Sequence, residues 1–218
     1  MNRKTILTVG VIVILALIGG GVYMLNRGNT HNDMNGMNHD MQSNQTSQNE
    51  SETYKQYAAL KGEDYDKMFL AGMIAHHQGA VDMANLALTQ AKHSELKTMA
   101  QNIVNAQTSE ISKMTAWQKD WGYPASSGDN MMDHSAMGME NDMATMTEEL
   151  KKLTGDAFDK KFIELMIEHH QQAIDMARPG EPNAQHQEVK TLTKVIVTDQ
   201  TKEISQMKAW QKDWGYNN

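Results

Sequence analysis

One segment of the chain occurs twice, 93 residues apart, and this duplication restricts the folds open to the protein. Residues 65–123 align without a gap on residues 158–216, with 33 identities in 59 positions. A unit of about 60 residues buries too little apolar surface to be more than marginally stable alone. We therefore expect the two copies to pack on each other around a shared core.

The first copy predicts two long helices joined by a short loop. The first helix should begin near Asp64 as its N-cap, and the second should follow His93, with Ser94 as cap, and stop at Gly122. Inward residues recur at spacings of three and four. In the first helix they are Asp66, Phe69, Leu70, Met73, His76, His77, Ala80, Met83 and Ala84. In the second they are Leu96, Met99, Ala100, Ile103, Ile111, Met114 and Trp117, joined by Gln107 and Glu110.

The second copy repeats this pattern with one shorter helix. It should begin near Asp156, and the sequence Pro-Gly-Glu-Pro at 179–182 should end it soon after Met176. Two such hairpins predict an all-α four-helix bundle with an internal pseudo-twofold axis. That axis would bring the pair His76 and His77 close to the pair His169 and His170.

The remaining segments divide the chain into an anchor, a tether, two repeats and a linker. Residues 6–25 are apolar or glycine except for Thr8 and Tyr23, and these 20 residues are enough to span a bilayer. We expect residues 1–27 to be a membrane anchor or an uncleaved signal, 28–52 a disordered tether and 124–147 a disordered linker. The repeats then occupy 53–123 and 148–218, with short helices at 51–60 and 147–153. Basic residues before the apolar segment predict that most of the protein lies outside the cytoplasm. It would stay attached to the membrane, or be secreted if the segment is cleaved.

Methionine and histidine supply most of the candidate metal donors. The chain has 19 Met and no Cys, so a thiolate site is impossible. Thioethers and imidazoles favour Cu(I), Cu(II) or Ag(I) over Mg or Ca. Candidate ligands in the helices are His76, His77, His169, His170, Met73, Met83, Met166, Met176, Met114, Met207, Glu110 and Glu203. Candidates in the two tracts are His31, Met34, Met37, His39, Met41, Met131, Met132, His134, Met137, Met139, Met143 and Met146.

Each group of donors also has an ordinary structural interpretation. A methionine at helical spacing usually fills a core, and Gln107, Glu110, Gln200 and Glu203 could satisfy every central imidazole without a metal. His93 and His186 would cap a helix or lie at the surface, with a peripheral ligand role as the alternative. The Trp117/Trp121 and Trp210/Trp214 pairs would cover the end of the bundle. Only the tracts have no core to fill, so exposed methionine there favours metal binding.

Two patterns, each present twice, carry a family resemblance. They are Met-Ile-x-His-His-Gln-x-Ala-(Val or Ile)-Asp-Met-Ala and Gln-x-x-Glu-Ile-x-x-Met-x-x-Trp. They resemble the bacterial family called domain of unknown function 305, over about residues 63–216. The resemblance implies a ferritin-like helical bundle and, because members include exported copper-binding proteins, a role in copper resistance. The segment at 131–139 is also similar to Met-Asp-His-Ser-x-Met segments of exported copper-resistance proteins.

The sequence thus favours a membrane-tethered copper-binding protein that sequesters copper or transfers it, without catalysis. The tracts would collect ions weakly, the bundle histidines would form a defined site, and a copper-transport or resistance protein would be the partner. Affinity at the imidazoles should fall as the pH drops through about 6 to 6.5. The net charge of −7 makes nucleic acid an unsuitable partner. Alternatives are a dinuclear metal oxidase using Glu110 and Glu203, with few inward carboxylates to support it, and a purely structural bundle.

Overall fold

The computed structural model describes residues 50–124 and 144–216, and those residues are helical apart from short connections and two isolated backbone bridges. The all-α prediction is confirmed. The helices are α1 (Glu52–Ala58), α2 (Glu63–Gln90), α3 (Ser94–Trp121), α4 (144–150), α5 (Gly155–Ala177), α6 (Gly180–Asn183) and α7 (Gln187–Asp213).

Two helical hairpins, α2 with α3 and α5 with α7, pack together mainly through α2 and α5. The two backbone bridges join Gly62 to Ala184 and Ala91 to Gly155. These bridges connect opposite repeats and are exchanged by the 93-residue offset, as an internal twofold relation requires. The repeat also extends further toward the N-terminus than the identities indicate, because α1 and α4 occupy equivalent positions and each buries one residue, Tyr57 and Leu150.

Local sequence signals explain where the long helices end. Gly122 and Gly215 follow α3 and α7 with φ of 71° and 73°, the left-handed conformation that glycine adopts without strain. Helix α5 ends at Ala177, before the predicted Pro-Gly-Glu-Pro stop, and has 23 residues against 28 in α2. The predicted difference in length is therefore confirmed.

The predicted helix starts need correction. Gly62 is the N-cap of α2, so Asp64 lies inside the helix, and His93 is the N-cap position of α3, so Ser94 is its first helical residue. Helix α4 already includes residue 144, whereas a linker was expected up to 147. The observed N-caps, Gly62 and His93, make no side-chain cap hydrogen bond, so the capping preferences of Asp64 and Ser94 did not locate the helix starts.

The residues of α2 that were predicted to face inward do lie in the core. Every residue assigned to the inward stripe of α2 is buried, Asp66, His76 and His77 included. The six helix methionines proposed as ligands are fully buried in two apolar clusters. One cluster contains Met73, Met114 and Met176, and the other contains Met83, Met166 and Met207. Of these six methionines, each cluster takes two from one repeat and one from the other.

Several predictions concern residues that the structure does not describe. The proposed anchor at 6–25, the tether and the tract donors up to Met143 lie outside the described residues. Among the helices that are described, none combines the length and apolar character needed to cross a bilayer.

Candidate metal centre

The two repeats meet at His76 of α2 and His169 of α5. Their ring centroids are 3.6 Å apart with planes tilted by 39°, and both side chains are buried. His169 Nε2 lies 3.0 Å from the backbone carbonyl oxygen of His76, so Nε2 carries the proton and donates it. In the neutral ring, Nδ1 of His169 is then a lone-pair donor.

His77 and His170 flank this pair, and each is oriented by a glutamate from the second helix of its own repeat. His77 Nε2 lies 2.7 Å from Glu110 Oε2, and His170 Nε2 lies 2.7 Å from Glu203 Oε2. A carboxylate that accepts one ring N–H leaves the other nitrogen as a lone pair, the arrangement often found behind metal-ligating histidines. The second helices thus orient imidazoles whose Nδ1 atoms face the protein interior.

Five buried ring nitrogens of these four histidines have no hydrogen-bond partner among the described residues. They are Nδ1 and Nε2 of His76 and the Nδ1 atoms of His77, His169 and His170. The Oε1 atoms of Gln107 and Gln200 are also unpartnered, so the interpretation in which these glutamines and the glutamates satisfy every imidazole does not hold. Buried polar groups without partners are uncommon and costly. Neutral imidazole nitrogens of this kind fit copper or silver.

Burial keeps the central pair neutral. It lowers the pKa of His76 to about 3, helped by the neighbouring His77 and His170. The amide of Gln172 lies close to the His76 ring and opposes part of the shift, but its geometry does not meet that of a hydrogen bond. Burial also lowers the pKa of His169 well below its ordinary value, and His76, His170 and His77 add to the effect. Since only the neutral ring can ligate a metal, both histidines are in the ligating form at neutral pH.

The other predicted donors have less specific surroundings. Met73 and Met166 precede the central imidazoles by one helical turn, and all six helix methionines pack as core residues. Met146, expected in a disordered tract, lies in α4 and packs against the core, so it has the packing role that was thought absent. Within 50–124 and 144–216, no group of three or more His, Asp or Glu side chains is arranged to hold one metal ion.

A second pair of histidines forms cross-repeat contacts that the sequence did not predict. His93 Nδ1 lies 2.7 Å from Oδ2 of the fully buried Asp159, which also accepts from the backbone N–H groups of Lys92 and His93 at 2.9 and 3.0 Å. The His93 ring stacks on Trp214 at 3.8 Å. We call this arrangement a clasp.

The equivalent clasp joins His186 to Asp66. Their Nδ1 and Oδ2 atoms are 2.7 Å apart, and Trp121 stacks on the His186 ring at 3.7 Å. Although His93 and His186 occupy N-cap positions, their side chains do not cap the helix, so the capping interpretation was wrong. The one signal available in the sequence was the recurrence of an aspartate in the inward stripe, at Asp66 and Asp159. The tryptophan pairs pack against the two apolar clusters, one pair on each.

Comparison with known proteins places this geometry in a family. A sequence model of domain of unknown function DUF305 matches residues 20–85 and 66–211. The structure of CopM in its Cu(II)-bound form is 37% identical, covers 71% of this chain and 99% of CopM, and has a TM-score of 0.57. CopM in its Cu(I)-bound form is 36% identical over 68% of this chain and 96% of CopM, with a TM-score of 0.55.

CopM has also been solved with silver bound. A DUF305 protein from Streptomyces coelicolor, named as secreted, is 27% identical, covers 69% of this chain and 93% of that protein, and has a TM-score of 0.61. None of the curated protein sequences compared with this chain matches it.

Proposed function

Because the chain belongs to the DUF305 family and its central imidazoles leave buried nitrogens unpartnered, we propose that it binds copper through His76, His77, His169 and His170. The function is sequestration or transfer of the ion, without catalysis. The observation that carries the proposal is the pair of adjacent buried rings, His76 and His169, three of whose four nitrogens have no hydrogen-bond partner. Cu(I) accepts two or three soft or intermediate ligands, and such a pair supplies two.

The surroundings of the centre support binding by imidazole. Glu110 and Glu203 orient two of the rings, and the depressed pKa values of His76 and His169 keep the two central rings neutral, each with one nitrogen lone pair. The predicted loss of affinity through pH 6 to 6.5 does not apply to His76, because a ring with a pKa of about 3 stays neutral in mild acid. The buried methionines close to these helices add thioethers as further ligands.

The full function includes the two methionine- and histidine-rich tracts as collectors. In this proposal their thioethers bind Cu(I) weakly and raise its concentration near the bundle. The proposed location is outside the cytoplasm, with the apolar segment at 6–25 as anchor. The secreted name of the S. coelicolor relative supports the compartment. Silver would be bound by the same ligands.

A titration with Cu(I) under anaerobic conditions and a competing chelator tests the proposal on the full chain in detergent. Replacing His76 and His169 by Gln should abolish the tightest binding step, whereas the matched double substitution of the clasp histidines, His93 and His186, should leave it in place. Far-UV circular dichroism checks that both variants fold. The proposal is rejected if copper stoichiometry is unchanged in a variant without the four central histidines and without the tract Met and His residues.

A further inference from the structure

A cleft of about 530 Å³ opens beside the central histidines. Ser51 and Thr53 at the start of α1 form one wall, Met146 of α4 forms another, and His169 of α5 contributes to the lining. The cleft therefore extends from the protein surface to the residue that carries one of the two central rings.

His169 gives this cleft a buried residue with an unpartnered ring nitrogen. Its side chain is only 1% exposed, and its Nδ1 has no hydrogen-bond partner. Because Nε2 donates to the carbonyl of His76, Nδ1 has a lone pair and can accept a metal ion without first losing a proton. A thioether, that of Met146, lines the same space.

The two repeats differ at this place along one face of a helix. Residues Glu164, Glu168 and Gln172 line the cleft at intervals of four, so they lie on one face of α5. The equivalent residues of α2 are Ala71, Ala75 and Gly79. The equivalent cleft along α2, about 370 Å³, is lined by Ala75 and Gly79 and by no histidine. The α2 cleft also contains Asp82 and Glu148, but of the two clefts only the one along α5 has a histidine and a methionine in its lining.

The charge of the α5 cleft suits a cation. Glu164, Glu168 and Asp175 line it, against a single lysine, Lys208. Asp175 accepts a hydrogen bond from Ser51 at 2.6 Å, which fixes one wall. Clefts lined by charge of one sign raise the local concentration of counter-ions.

The sequence connects both collecting tracts to the walls of this cleft. Met41 precedes Ser51 by ten residues, and Met143 precedes Met146 by three. Ten residues span at most about 35 Å. In sequence, the second tract is therefore the nearer of the two to a residue that lines the cleft.

We propose that this cleft is the port through which Cu(I) reaches the central imidazoles, with Met146 as the first ligand and His169 Nδ1 as the acceptor. Glu164 and Glu168 attract the ion. The transfer is a ligand exchange in which a thioether–copper bond breaks as an imidazole–copper bond forms, and copper stays Cu(I) throughout. This inference rests on the proposed function, since it assigns the route to the same centre.

Loading kinetics test the port. The full chain is mixed with Cu(I) held by a chromophoric chelator, and the phase that disappears in the His76→Gln/His169→Gln variant is assigned to the centre. The double variant Met146→Leu/Glu168→Ala removes a carrier ligand and an attracting charge, so it should slow that phase about tenfold. The amplitude of that phase, which reports the central histidines, should stay unchanged. The matched control, Met68→Leu/Glu188→Ala, removes a partly buried Met and an exposed Glu away from the cleft.

The control variant also tests a second possible route for Cu(I) to the central histidines. Glu188 lines a groove of about 430 Å³ between α3 and α7 whose wall includes Glu110, the partner of His77. The port is overturned if Met146→Leu/Glu168→Ala loads at the unmodified rate, or if the control variant is the slower one. Absence of the assigned phase from the unmodified protein would instead overturn copper binding at the centre, which separates the two failures.

Discussion

The central histidines and the clasp histidines are both related by the internal repeat, yet their surroundings are opposite. His76 and His169 are fully buried, and three of their four ring nitrogens lack partners. His93 and His186 keep about a quarter of the side chain exposed. Each has a buried aspartate next to its Nδ1 atom and an indole stacked on its ring.

This difference separates histidines that hold the fold from histidines available to bind. In the clasps the imidazole, the carboxylate and two backbone N–H groups satisfy one another, so a metal would have to displace existing bonds. At the centre a metal would satisfy nitrogens that have no bonds. Symmetry and residue type are the same in both regions, and only the partners distinguish them.

Removing a clasp carboxylate should have the largest effect on stability. Asp66→Ala leaves the backbone N–H groups of Gln185 and His186 and the His186 ring without their acceptor, inside the contact between repeats. We expect a loss of about 3 to 5 kcal/mol in the free energy of unfolding, the range found when one partner of a buried pair is removed. Urea unfolding of the metal-free protein measures it.

The matched control for that prediction is Asp156→Ala. Asp156 is half-exposed and bonds Lys92 and Tyr216 at the surface, so its loss should cost much less. Equal losses for the two variants would mean that the buried clasps do not hold the repeats together.

Copper should stabilise the protein through the centre and not through the clasps. At a free Cu(I) concentration 100 times the dissociation constant, linkage predicts about 2.7 kcal/mol of added stability. The gain should disappear in His76→Gln/His169→Gln and persist in His93→Gln/His186→Gln. Thermal unfolding with and without Cu(I) measures it, and a gain lost only in the clasp variant would reverse the assignment of the two regions.

The helices and the inward direction of His76 and His169 could be predicted from the sequence. The spacing of apolar residues within each helix and the comparison of the two repeats are enough for that, without knowledge of how the helices pack. The sequence did not predict the clasps. Asp66 and His186 are 120 residues apart and belong to different repeats, so their contact depends on how the hairpins pack. The sequence also did not predict which imidazoles lack hydrogen-bond partners. Gln107 and Gln200 have amide groups that could bond an imidazole, but in the structure the Oε1 atom of each is unpartnered.

The central pair should also make the metal-free protein sensitive to acid. Burial lowers the pKa of His76 from 6.5 to about 3, so below pH 6.5 the unfolded chain binds protons that the folded chain does not. Stability from His76 is therefore complete above about pH 6.5 and falls by about 1.4 kcal/mol per pH unit as the pH decreases toward 3, and His169 acts in the same direction. The slope should flatten in His76→Gln/His169→Gln. An unchanged slope would show that other groups cause the acid sensitivity.

The smallest effect should come from the exposed rim of a clasp. Lys92 Nζ lies 2.6 Å from Asp156 Oδ2, but both side chains are more than half exposed, at 55% and 57%. Exposed ion pairs contribute between zero and about 1 kcal/mol and weaken in salt. Lys92→Ala keeps the backbone N–H that Asp159 accepts. Its effect on urea unfolding should therefore stay below about 1 kcal/mol and shrink further in 1 M salt. A larger, salt-independent loss would place part of the clasp's stability in this surface pair, and the contrast between buried and exposed contacts would have to be redrawn.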